Sequence, residues 1–374
     1  MSTQKTLITF YPVGNGDCNL IVFSDGVKMM IDCNFRTDAE DENTDSFDVL
    51  NDLLSKLTIK KGLPYLNAFV LSHPDQDHCR NFENKFYLGD PEDISQTDKD
   101  DKKILIGELW YSPRVFTEHT DDLCDDAKAL RDEAKRRIKL WKDNDSHKND
   151  MGNRIRIIGY ADVDELSDVP DERISAAGDT VTKVDGKERD KYRFFIHAPF
   201  KAEIEGDERN ATSIVMQIKI DVEDKTDVGK VFFGGDAEWR VWKKLQEKTE
   251  DDDNLKWNLM EAPHHCSYHF FADDREYEPE SSSLDFLRRQ DGNGIVVSSS
   301  KQIKQNDDNP PCQKAKNRYI KELKSEDYFM CTNEGGTEIP LVFEITKSGI
   351  KIFEADKEES TKGLNIGKRE HLYG

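Results

Sequence analysis

Three apolar, strand-like runs in this chain each stop at side chains of metal-capable types, and that recurrence limits the fold more than any other feature. The run 66–71 leads into His73, Asp75, Asp77 and His78, in "FVLSHPDQDH". The run 230–234 leads through a glycine pair into Asp236, in "VFFGGDAEW". The run 255–261 leads into His264 and His265, in "LMEAPHHCS". Side chains crowded onto one turn cannot all reach one ion. Two ions about 3.5–4 Å apart suit them better, and the remaining ligands must then come from elsewhere in the chain. Three strands ending along one sheet edge would supply them.

Each residue has a plainer reading when taken singly. An Asp after a strand is often a turn residue or a helix cap, and Asp77 could cap the short helix that follows it. Together, H-x-D-x-D-H, G-D and H-H after three strands favour a shared metal site. Other features take plain readings. "GNGD" is too short for a phosphate loop and lacks the Lys-Ser/Thr. "DAEDENTDS" lacks the central glycine of a calcium loop and reads as a solvated acidic loop. The basic cluster in "AKRRIKLWK" could touch phosphates, but reads first as the exposed end of a helix. Cys33, Cys79 and Cys266 read as small buried residues.

The 374-residue chain is 36% hydrophobic and 35% charged, so solvated insertions are expected around an ordinary core. A net charge of -22 repels nucleic acid at long range, so any such site must be a local exception. Seven scattered cysteines without a C-x-x-C argue against a disulfide framework and for a reducing, cytoplasmic setting. The N-terminus has no signal-peptide pattern, and no run approaches the ~18 apolar residues of a membrane span. The sequon at Asn210 is therefore read as unglycosylated.

Turn chemistry separates strand-like segments at 6–11, 18–23 and 28–33. Apolar residues at helical spacing predict a helix over 47–57, and charge placement predicts another over 121–142. Strands are also expected at 104–110, 154–158, 193–197, 213–220, 294–298 and 328–332. Helices are expected at 237–247, 283–289 and 314–323, and a closing hairpin over 339–353. Residues 89–103 and 161–190 read as polar excursions. One domain over 1–355 is expected, with insertions at about 89–103 and 112–190 and a polar tail at 356–374. The pattern suggests sheets covered by helices on their outer faces, built from two β-rich halves.

These motifs resemble those of the metallo-β-lactamase superfamily of metallohydrolases. Within it, the chain is most similar to the soluble hydrolase domain of the competence protein ComEC and its stand-alone relatives. The signature H-x-[HD]-x-D-H is matched by His73, Asp75, Asp77 and His78. An early aspartate after a strand is matched by Asp32. The ComEC-like V-G-Q-G-D is matched by "VGNGD" with Asp17, N-x-x-S by Asn210 and Ser213, and the bridging G-D by Asp236. H-H-G-S is matched by "HHCS", with Cys266 in place of glycine. Many members have a histidine where Asp75 stands, and another ahead of the G-D strand. His197 is a poorly matched substitute for the latter and reads as a core or surface histidine.

The resemblance implies a four-layer α/β/β/α sandwich with the site at one edge between the sheets, partly roofed by the two insertions. It implies that His73 and Asp75 hold one divalent ion, and that Asp77, His78 and His265 hold a second. Asp236 would bridge them, with Asp77 indispensable to turnover. Asp17 or Asp32 would orient the ligand imidazoles, and His264 would donate a proton to the leaving group. The carboxylate-rich set suits Mn²⁺ or Mg²⁺ without excluding Zn²⁺. Water activated by the two ions would attack a phosphodiester in a nucleic acid or a nucleotide-derived molecule. The acidic surface implies either a small substrate or delivery by a protein partner, as for relatives found in bacterial defence loci. Two other expectations are hydrolysis of a lactone, thioester or lactam, and a regulatory binding subunit with a vestigial site.

Overall fold

The glycine- and aspartate-rich turns of the N-terminus act as their composition predicts. In a computed structural model, described for residues 5–40, 46–160, 162–206, 208–306 and 308–353, they connect β1 (Thr6–Phe10), β2 (Asn19–Val22) and β3 (Lys28–Ile31) into an antiparallel meander. Alternation sends Ile8, Phe10, Ile21, Met29 and Ile31 to one face and Leu20 and Met30 to the other, and both faces are buried. The short β4 (Thr58–Lys60) pairs with β5 (Leu63–Val70), which lies parallel to β3. Then β6 (Leu105–Tyr111), β7 (Arg154–Ile158) and β8 (Ile174–Ser175) extend the sheet in parallel. Pro64 is tolerated in β5 because it sits at the second position, beside only the short β4.

A second sheet holds β9 (Thr180–Val181), β10 (Tyr192–Ala198), β11 (Val215–Val222), β12 (Lys225–Phe233), β13 (Trp257–Glu261), β14 (Gln290–Ser298) and β15 (Phe329–Cys331). Its seven strands run in sequence order, antiparallel as far as β12 and parallel from there on. The closing hairpin, β16 (Leu341–Thr346) and β17 (Gly349–Ile352), joins the first sheet, where β16 pairs antiparallel with β1. The division into two sequential halves therefore fails at the C-terminus. Residues 161–190 also carry more than a loop, because β8 edges one sheet and β9 the other. Two-residue strands are too short to show a period of two in sequence.

Three apolar clusters fix the packing. Between the sheets, Phe10 stacks on Phe233 with centroids 5.8 Å apart, and Trp110 meets Phe194 edge-on at 5.3 Å. On the outer face of the first sheet, α1 (Val49–Lys56) buries Val49 and Leu53, and the long α3 (Asp125–Lys142) buries Ala127, Leu130, Ala134 and Ile138; the one-turn α2 (Gln76–Cys79) lies before it in the chain. On the outer face of the second, α4 (Trp239–Lys248), α5 (Ser281–Leu287) and α6 (Gln313–Glu322) bring in Trp242, Phe286 and Tyr319. Truncating Trp242 to alanine costs about 3–5 kcal/mol by the cavity it leaves. No helix among the described residues is long and apolar enough to cross a membrane.

Other expectations shift. Ile94 of the insertion 89–103 packs against Leu63, Tyr65 and Leu105, at the starts of β5 and β6, so this insertion does not roof the strand ends. The "AKRRIKLWK" cluster is not simply exposed. Arg137 is buried, pairs with Glu133 at 2.7 Å and donates to the carbonyls of Ile106 and Arg154. The polar tail 356–374 and most of the acidic loop after Glu40 lie outside the described residues.

His197 belongs to the core. Its ring lies between those of Phe195 and Phe232, and Nδ1 is 3.2 Å from Thr249 Oγ1. Burial, only partly offset by a backbone hydrogen bond at Asn254, pushes its pKa down from 6.5 to about 3. The unfolded chain then takes up this proton first as pH falls, so the stability that neutral His197 permits is complete above about 6.5 and drains away towards 3. His197→Phe is expected to remove up to about 5 kcal/mol of acid destabilisation. Urea midpoints at neutral and acidic pH, in chelator, would measure it, and an unchanged pH slope would count against a buried neutral imidazole.

Candidate metal centre

The C-terminal ends of parallel neighbours meet between the sheets, where α/β folds place their sites. In the first sheet, β3 ends in Asp32 and β5 leads into Ser72, His73 and α2. In the second, β12 leads into Gly234, Gly235 and Asp236, and β13 into His264 and His265. Two glycines permit this approach. Gly16 has φ +147, and a Cβ there would lie 2.0 Å from Asn34 Nδ2 and 2.7 Å from the Asp77 carbonyl oxygen. Gly235, at φ +47, leaves room for Ser72, whose Cβ would be 2.9 Å from a new methyl.

Asp236 is the hub. Its Oδ1 lies 3.2 Å from His78 Nε2 and 3.5 Å from His265 Nε2. Its Oδ2 lies 3.5 Å from His264 Nε2 and 3.8 Å from His73 Nε2. Asp77 Oδ2 is 3.4 Å from His265 Nε2, and Asp75 Oδ2 is 3.4 Å from His73 Nε2. These atoms face one another without hydrogen-bond geometry. His73 Nε2, His78 Nε2, His265 Nε2 and Asp236 Oδ1 are buried and have no hydrogen-bond partner among the described residues. Converging buried lone pairs of this kind fit a cation, because left alone each carries a desolvation cost. Groups with donor atoms within 4.8 Å of one another include His73, His78 and Asp236, and Asp77, His78 and His265.

The far nitrogens explain the orientation. Ser72 Oγ donates to Asp32 Oδ2 at 2.6 Å, so it can accept from His73 Nδ1 at 3.0 Å. His78 Nδ1 meets Asp32 Oδ2 at 2.8 Å, and Asp32 Oδ1 accepts the Ser72 amide at 2.7 Å. These contacts suit imidazoles protonated at Nδ1, with Nε2 turned inward. His265 Nδ1 lies 3.2 Å from Asp17 Oδ1 and also 3.2 Å from the Gly16 amide nitrogen. Asp32 and Asp17 thus stand behind the imidazoles of His78 and His265, on the side away from Asp236.

The remaining candidates divide. Ser213 Oγ accepts the Asp236 amide at 3.2 Å and so positions the hub. Asn210 lies beside Glu238, whose carboxylate groups with His264 and His269. Neither Asp77 nor Asp236 is a helix cap: Asp77 lies inside α2, and Glu238 occupies the N-cap of α4. Asp75 is shared, since its other oxygen is bound by Arg209, which also contacts Glu118 at 3.2 Å. Ser72, Arg209 and Glu261 were not singled out from sequence. Only Ser72, inside the quoted motif, carried a signal, as a hydroxyl placed beside a ligand histidine.

Charge in the centre is unbalanced. Asp17, Asp32, Asp236 and Glu261 are all at most 3% exposed. Burial opposes ionisation of Asp236, but His265, His78 and His264 outweigh it and hold its carboxyl well below the usual range. Burial likewise opposes charge on His78, yet Asp236 and Asp32 push its pKa well up. Glu261 is pushed well up by burial and by Asp17. The backbone is strained at the same place, since His264, His265 and Cys266 have φ of 51°, 52° and 66°. Each costs roughly 1–2 kcal/mol in the left-handed region, and Cys266 stands where glycine would avoid that cost. The His264 amide donates to the Gly235 carbonyl at 3.0 Å and the Cys312 amide to that of Cys266 at 3.0 Å, holding the turn in place.

No protein-family model matches the chain, and no curated protein matches it. Asp236→Ala is expected to abolish Mn²⁺ binding. Ser72→Ala, which frees two imidazoles without removing a ligand, is expected to weaken it by about 10–100-fold. Titration calorimetry measures both, and unchanged binding in both variants would show that this cluster is not a cation site.

Proposed function

We propose that the chain is a metal-dependent hydrolase of the metallo-β-lactamase type, with a four-layer αββα sandwich and a ComEC-like motif set, acting on phosphodiesters. One observation carries the reading: four imidazoles and the carboxylates of Asp75 and Asp77 gather around the two oxygens of Asp236. Asp77, His78, His265 and Asp236 Oδ1 would hold one divalent cation. His73, Asp75, His264 and Asp236 Oδ2 would hold the other. His264 is turned towards Asp236, which fits a ligand better than the proton donor expected from sequence, and it supplies the imidazole missing ahead of the G-D strand. When bound, such cations supply Lewis acidity, lowering the pKa of water and neutralising charge on a phosphoryl oxygen. Asp32 and Ser72 keep the His73 and His78 lone pairs directed inward, and Ser213 fixes the Asp236 backbone.

A cleft of about 570 Å³ supports an anionic substrate. It is lined by Asn15, Lys301 and Lys304, and Asn15 directly precedes the glycine that contacts His265. Two lysines there, against the single carboxylate of Asp308, are a local exception to the net charge of -22. A nucleotide-sized phosphodiester suits this better than long duplex DNA, which would need a partner to deliver it. Arg209 favours a second reading. Its hold on Asp75 competes with the His73 position, so a chain that fills one position would act as a binding subunit. Metal content separates the two, with about two ions per chain for the enzyme and one or none for the subunit.

With Mn²⁺, the protein is expected to cleave a chromogenic phosphodiester, and Asp77→Ala should lower turnover by at least about a hundredfold. Labelled DNA, RNA and cyclic dinucleotides then rank the substrates. Metal-loaded protein inert towards all of them, or full activity in Asp77→Ala, would overturn the reading.

A further inference from the structure

Two thiols meet just behind the metal-binding loop. Cys79 closes α2, directly after His78, and its sulfur lies 3.7 Å from that of Cys124. Cys124 is the N-cap of α3, an 18-residue helix, and its sulfur accepts the Ala127 amide at 3.4 Å. The same helix turn grips the loop from the other side, since Asp126 accepts the Asn81 and Glu83 amides at 2.9 and 3.0 Å. Cys79 is buried, whereas Cys124 is half-buried and open to a small solute. We propose that Cys124 and Cys79 form a peroxide-oxidisable pair, in which Cys124 is the attacking thiol and Cys79 the resolving one.

The roles follow from the asymmetry of the pair. A hydrogen bond from Cys79, together with the Ala127 amide, outweighs burial and the Asp126 charge and brings the Cys124 thiol down to about 7. Cys79, by contrast, is buried in α2 and shielded from solvent. A thiolate at a helix N-terminus is the form that attacks peroxide. Cys124 sulfur would take one peroxide oxygen, giving a sulfenic acid and one water. Cys79 sulfur would then displace the hydroxyl, giving the disulfide and a second water. Two thiols and one hydrogen peroxide thus become one disulfide and two waters. Closing to about 2.05 Å asks for a sulfur shift of about 1.7 Å. The short helix and the helix start can supply this by side-chain rotation and a small approach. Cys33 is bridged to Cys79 through the backbone and is the competing partner. The inference does not depend on the proposed hydrolase activity.

The test treats the reduced full-length protein with a small excess of hydrogen peroxide, blocks the remaining thiols and maps peptides without reductant. The expected product has lost two hydrogens, contains a peptide pair joining Cys79 to Cys124, and reverts with dithiothreitol. Cys124→Ser should slow peroxide consumption by about tenfold or more. Cys79→Ser should stop at a dimedone-reactive sulfenic acid on Cys124. A Cys33–Cys79 link, an unmodified Cys124, or wild-type Cys124 oxidised to sulfinic acid without a link would each overturn the assignment.

Discussion

Packing four acids and four imidazoles between two apolar sheets is the constraint to which the rest of the structure answers. Asp236 sits at its centre, each oxygen facing two ring nitrogens. A buried carboxylate among imidazoles is stable only if protons or cations balance it. Behind the inner ring lies an outer one of Asp17, Asp32 and Ser72, in which the hydrogen bonds of Ser72 and Asp32 decide which nitrogen of His73 and His78 faces inward. Changing that outer ring alters the centre without touching a ligand atom.

The fold concentrates its backbone irregularities in the same small volume. Asp32, with φ 58, ends β3 in the left-handed region, and three consecutive residues after β13 share that conformation. Regular strands could not deliver side chains from two sheets to one point, because successive residues diverge to opposite faces. Sharp turns immediately after the strands solve this at a cost of some kcal/mol. The inter-sheet aromatic core stabilises the structure that bears that cost.

Much of this was legible in the sequence, for a physical reason. Histidines and aspartates placed after apolar runs stand out against strands of Val, Ile, Leu and Phe, so the convergence of His73, Asp77, Asp236 and His265 could be expected without coordinates. Apolar spacing also predicted the helix of 47–57, charge placement that of 121–142, and turn residues the closing hairpin. Non-local facts were not legible. Nothing along the chain says that 341–346 pairs with 6–10, that Arg209 reaches Asp75, or that the insertion 89–103 packs at the far end of the strands. Arg137 shows the same limit, since a basic run on a helix hides one cation that is buried against backbone carbonyls.

The first strand is flanked on one side by its sequence neighbour β2 and on the other by β16, near the end of the chain. A ribosome delivers these edges far apart in time. Until the last segment emerges, β1 exposes an open ladder of amides and carbonyls, the kind of edge that recruits foreign strands. The nascent protein therefore passes through a long interval in which its N-terminal sheet is unfinished, and chaperone occupancy should be greatest just before the closing hairpin is released.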